Sequence, residues 1–182
     1  MSNEISRRNM LGVRVGAGLT AAALAAPMLS AISAQAQTSG VLGASTKPTM
    51  SLLDARTLLD AAELRSTQIN VPMYVLVVDE SGREKASIRM DGNGLASLTL
   101  VPMKAHTSLA FRAATEVLAE RFGANAARLN SFTGTGEFVF VGGGLPIVVK
   151  DRLLGAIGVG GGSPEQDADV AKFALDALLR RA

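Results

Sequence analysis

Three short stretches of the chain carry side chains able to bind or transform something. They are "RMDG" (Arg89 to Gly92, with Asp91 inside it), "KAH" (Lys104 to His106) and the glycine-dense "VGGGLPIVVKDRLLGAIGVGGGSPEQD" from Val141 to Asp167. Arg89 and Lys104 suit an anionic group, because a guanidinium offers a fork of donors to a carboxylate and an ammonium offers a point charge. The plainer reading of Arg89 is a surface pair with Asp91, which contributes little. A phosphate cradle needs its glycines between a strand and a helix, so that free N–H groups converge on the anion. The triplet Gly142, Gly143 and Gly144 instead runs into the β-rich "LPIVV" and lacks a Gly-Lys-Ser/Thr ending. Gly160 to Gly162 do precede a helix start, but Glu165, Asp167 and Asp169 make that start acidic and repel phosphate. The glycines therefore read as the rim of a sheet, with Gly142 to Gly144 as candidate ligand contacts. Asp167 and Asp169, two apart on a helix, diverge and form no metal pair. His106 is the single histidine and has no G-x-S-x-G partner, which excludes the usual serine triad.

These residues need a scaffold, and the apolar pattern predicts one. Ser51 with Asp54 three residues on caps a helix whose inner face carries Leu52, Ala55, Leu59 and Ala62. Pro72 closes that connection, and a buried strand over 73–79, a Ser-Gly turn and a second strand over 84–90 follow. The segment 95–129 reads as two or three short helices, with Pro102 near the start of one and Thr115 capping another. Strands are predicted near 137–141, 145–150 and 153–159. The last helix is the clearest: Ser163-Pro164-Glu165-Gln166 is a capping box, and Val170, Phe173, Ala174, Ala177 and Leu178 repeat at helical spacing. The predicted order is α-β-β-α-α-β-β-β-α. Hairpin connections make the class α+β, one five-stranded antiparallel sheet with flanking helices.

The chain has 182 residues, enough for one domain, but its first 36 read as something else. "SRRNMLG" places paired arginines before an alanine-rich run that ends at "AQA", the pattern of a twin-arginine export signal cleaved after Ala36. Arg14 and Pro27 interrupt the run, so no membrane span is expected once the signal is removed. The Gly16, Gly18 and Ala21 match to a dinucleotide fingerprint has no strand before it and carries no weight. Residues 37–50, rich in Ser, Thr and Gly, read as a flexible leader before a domain at 51–182. Cleavage removes three of 18 Lys and Arg and one of 16 Asp and Glu, leaving 15 of each. That neutral balance, without a basic run interleaved with aromatics, argues against a nucleic-acid partner. With no cysteine, neither disulfides nor thiolate chemistry is possible. Export places the protein in the periplasm or outside the cell.

"VVDESG", "IRMDG", "KAHTSLAF", "ATEVL", "VGGGLPI" and "GAIGVGGGSPEQDADVAKFAL" together resemble the HbpS/GlcG family of small haem-binding proteins, and also the C-terminal domain of PduO-type cobalamin adenosyltransferases. The resemblance runs from Ser51 to Leu178. It implies an antiparallel-sheet domain that forms homo-oligomers and has haem as its cofactor. Family positions fall on Asp79, Arg89, Asp91, Lys104, Gly143, Gly144, Pro146, Gly155, Gly158 and Asp167. Asp79 also reads as a turn stabiliser, and Gly155 and Gly158 as points of close backbone approach. His106 stands where the family has an aromatic residue or Arg. An imidazole there is either a haem-iron ligand or a solvated helix residue, with Met90, Met103 and Tyr74 as weaker iron donors. Two functions follow: an exported haem-binding, trafficking or sensing protein, or an enzyme or sensor in which Arg89 and Lys104 hold a small carboxylate such as a 2-hydroxy acid.

Overall fold

The computed structural model describes residues 48–181. The segment read as an export signal, 1–36, and the segment read as a leader, 37–50, as far as residue 47, lie outside the described residues. In chain order the elements are α1 (Leu52–Gln68), β1 (Tyr74–Asp79), β2 (Glu84–Arg89), α2 (Ala96–Phe111), α3 (Thr115–Gly123), α4 (Ala126–Thr133), β3 (Gly144–Val149), β4 (Arg152–Gly160) and α5 (Pro164–Leu179). The class is α+β, with the strands ordered β2-β1-β4-β3 and every pairing antiparallel.

The run "YVLVV" has little alternation because β1 is central and buried on both faces. Val75 and Val77 pack with Leu58 and Ala62 of α1 and Val170 and Ala174 of α5. Leu76 and Val78 face the other way, onto Val101 and Ala105 of α2. The sheet is thus the middle layer of three. The two covering helices on the first face begin as their sequence directs: the Ser51 hydroxyl accepts the Asp54 N–H, and Ser163 and Gln166 close a reciprocal capping box after which Pro164 opens α5. Between β1 and β2, one Asp79 carboxylate oxygen accepts the Ser81 and Arg83 N–H groups, the turn role foreseen for it.

Two expectations need correction. The segment around 137–141 is not a strand, and the sheet has four strands rather than five. Phe138 and Phe140 do fall on one side, but they enter an aromatic cluster with Phe111, Phe122 and Phe132 instead of a ladder. The Val139 N–H is satisfied by the Thr107 hydroxyl, which replaces the strand bond it would need. The two or three helices expected over 95–129 are three, one more than the predicted element order holds, the last running on to Thr133, and Pro102 lies inside α2 rather than near its start. Proline removes one ladder bond there, and α2 continues because Val101 and Ala105 bury their side chains against the sheet on either side of it.

Candidate ligand site on the two faces of a helix

Helix α2 crosses the sheet so closely that glycine is required beneath it. A Cβ on Gly158 would run into the Val101 carbonyl, and one on Gly144 into the Lys104 carbonyl. Gly143, with φ +112°, holds a conformation that suits glycine, and its carbonyl accepts the Val159 N–H. The Gly144 N–H is taken by the Thr115 hydroxyl at 2.9 Å. Gly142 sits with equally little room, against the Pro164 backbone. The first glycine triplet is therefore a bearing surface for α2, α3 and α5, and Gly143 also abuts the Lys104 ammonium.

On the inner face of α2, Lys104 is 2 % exposed. Its ammonium donates to Asp167 Oδ2 at 2.6 Å and to the Val159 carbonyl at 3.0 Å, while the second Asp167 oxygen accepts the Gly162 N–H at 2.9 Å. Asp167 lies in the first turn of α5 and is 3 % exposed. Burial pushes its carboxyl above the ordinary range, against the lowering pull of the Lys104 ammonium and the Gly162 and Gly161 N–H groups. The pair borders a cleft of about 250 Å³ whose floor is Gly160, Gly161 and Gly162, with Ser97, Leu100 and Val141 around it. A second cavity, of about 300 Å³, adjoins it through Val141 and Pro164 and is lined by Phe140, Gly142, Glu116 and Glu165.

The outer face of the same helix is different. His106 is exposed, and its ring stacks on Phe138 with centroids 5.4 Å apart and planes at 26°. Met103, one turn earlier, and Pro102 complete a shallow apolar dish of about 290 Å³ beside Glu137.

The "RMDG" residues do not join either place. Arg89 ends the edge strand β2, exposed, in register with Tyr74 and through it with Gly160, two strands and roughly 10 Å away. It forms no ion pair with Asp91, which borders a separate hollow with Ser66, Asn70 and Met90. Arg89 and Lys104 thus do not form one carboxylate clamp, and Lys104 is already committed to Asp167. Among the fallback iron donors, the Met90 sulfur accepts the Met73 N–H at 3.4 Å and packs against the core, and Tyr74 lies within the sheet. Asp169 pairs with Arg65 at 2.7 Å, apart from Asp167.

Sequence reasoning missed Ser97 and Asn93. The Asn93 amide donates to the carbonyls of Pro72 and Gly160 at 3.0 Å each, tying the start of the α2 region to the glycine floor. Ser97 is 6 % exposed and faces the cleft seven residues before Lys104, a spacing that places both on one side of a helix. That spacing was the available signal.

The domain has three α+β layers, with a cleft beside a buried ion pair on one side of α2 and an open imidazole-bearing dish on the other. The family described as "Haem degrading protein HbpS-like" matches residues 50–176, and the chain belongs to that family. It is 33% identical over 131 residues, 71% of this chain and 92% of the relative, to an uncharacterised 15.0 kDa protein of the dhaT-dhaS intergenic region of Citrobacter freundii. It is 37% identical over 139 residues, 74% of this chain, to the corrinoid adenosyltransferase PduO of the same organism, of which it spans only 41%. Among solved structures, a PduOC:heme complex superposes with a TM-score of 0.66 at 37% identity, covering 71% of this chain and 94% of that one.

Proposed function

We propose that this protein is an exported haem-binding protein and that His106 supplies the iron ligand. The observation that carries the reading is the dish on α2: an exposed imidazole, a thioether one helical turn away and an apolar surround are the donor set and surface that a haem edge needs. The haem complex solved for a relative 37% identical supports it. Bound haem supplies a redox-active iron. The chain's part would be to hold the imidazole in one plane through the Phe138 stack and to offer Met103 and Pro102 as the apolar surface beside it. Hemin added to the protein should give a sharpened, shifted Soret band. His106→Ala should shift that band and weaken binding, and an unchanged spectrum with unchanged affinity would remove His106 from the role.

Export belongs to the same reading and rests on "SRR" followed by the alanine-rich run to "AQA". Changing Arg7 and Arg8 to lysine should hold the precursor in the cytoplasm, and continued maturation after Ala36 would contradict it. Self-association is part of it too. The strand "YVLVV" is central and offers no edge, so the surface for a second copy is sought instead among the exposed leucines of the α2 region, Leu95 (78 % exposed), Leu98 and Leu100. Light scattering should report a species larger than one chain.

A further inference from the structure

The turn "DGNG" ahead of α2 holds the chain's single Asn-Gly step, Asn93 followed by Gly94. At such a step the backbone nitrogen of the second residue can attack the asparagine side chain, because glycine brings no Cβ to hinder the approach. The attacking side is unencumbered here. The Gly94 N–H donates to no described residue, and a Cβ built on Gly94 would meet nothing within 4 Å. The side under attack is pinned. The Asn93 amide nitrogen donates to the carbonyls of Pro72 and Gly160 at 3.0 Å each, which uses both of its N–H groups, and the residue is 9 % exposed. Its oxygen, Oδ1, is buried and has no hydrogen-bond partner among the described residues. Negative charge developing on that oxygen therefore finds no donor. Gly161 closes around the amide so tightly that a Cβ there would run into Asn93 Nδ2 and the Pro72 carbonyl. The folded loop holds a reactive pair out of reaction.

We propose that Asn93 is a latent, irreversible modification site whose two hydrogen bonds are its latch. When the loop opens, the Gly94 nitrogen gives up its proton to solvent base and attacks Asn93 Cγ. A C–N bond forms and closes a succinimide; the Cγ–Nδ2 bond breaks, and the amide nitrogen takes up a proton and leaves as ammonia. Water then opens the ring to aspartate or isoaspartate. No oxidant or cofactor takes part. The product cannot latch again, for a carboxylate has no N–H to offer and sets its charge against the Pro72 and Gly160 carbonyl oxygens in a place with little water. The start of the α2 region then comes away from the glycine floor of the inner cleft.

The test is peptide mass spectrometry on the full chain aged in warm, mildly alkaline buffer, folded and in urea. Cleavage after Arg89 and Lys104 releases residues 90–104, in which Asn93 carries the only side-chain amide, so a change from amide to acid there reports on it alone. In urea Asn93 should convert faster than Asn125 and Asn130, which precede Ala126 and Ser131. In the folded protein it should convert about thirtyfold more slowly than in urea, the factor that two ordinary hydrogen bonds are worth. Gly94→Ala, for which there is room, should keep the fold and slow the conversion in both states. Asn93→Asp, one of the products, should unfold at a lower urea concentration than the parent. Conversion as fast in the folded protein as in urea, no lead of Asn93 over Asn125 and Asn130 in urea, or an Asn93→Asp variant as stable as the parent would each overturn the proposal.

Discussion

Lys104 and His106 are separated by a single residue of α2, yet their surroundings share nothing. Two residues turn about 200° around a helix, so Lys104 enters the seam between α2, β4 and α5, where a carboxylate and a backbone carbonyl hold it, while His106 stays at the surface against Phe138. The inner face is built from contacts that cannot be removed singly. The outer face is built so that a side chain can change its partner without disturbing the fold. A tripeptide that reads as one site is two, divided by the helix itself.

The division makes unequal predictions for stability. Lys104→Met should have the largest effect, because it leaves the Asp167 carboxylate buried without its cation, and breaking such a pair costs about 3–5 kcal/mol; urea unfolding at neutral pH reads it directly. The pH dependence of that loss sharpens the point. The folded-state value of Asp167 lies above its ordinary one, so the stability linked to it is present below about pH 4 and is lost as pH rises through the raised value. Removing the ammonium takes away a lowering influence and lifts the carboxyl further. The penalty of Lys104→Met should therefore shrink on acidification, as the carboxyl takes up its proton, and a pH-independent penalty would mean that Asp167 is not what the lysine serves.

Gly158→Ala should come next, at about 1–3 kcal/mol, since its Cβ has no space beneath the Val101 backbone and α2 must lift. His106→Ala should come last, within about 0.5 kcal/mol of the parent, as expected of a surface side chain. A large loss there would break the comparison, for it would mean that the Phe138 stack is a structural joint.

Much of this was legible in the residues. The caps at Ser51 and Ser163, the unbroken apolar strand β1 and the periodic α5 each depend on neighbours a few positions away, and local physics decides them. The failures share a cause as well. Phe138 and Phe140 alternate as a strand should, but three helices offered them aromatic partners that no short window reveals. Asp167 meets Lys104 from 63 residues away, and only the pairing of β4 with β1 and β3 carries α5 to that point. Arg89 looked like a partner for Lys104 because both carry charge beside short motifs, and the sheet order separates them by two strands.

The central claim is that haem chemistry belongs to the outer face of α2 and not to the buried ion pair. One hemin titration followed at the Soret band, run in parallel on the parent protein, His106→Ala and Ser97→Ala, tests it. The account predicts that Ser97→Ala superposes on the parent while His106→Ala shifts the band and binds more weakly. A Soret band indifferent to His106 and altered by Ser97→Ala would place the haem in the inner cleft and contradict it.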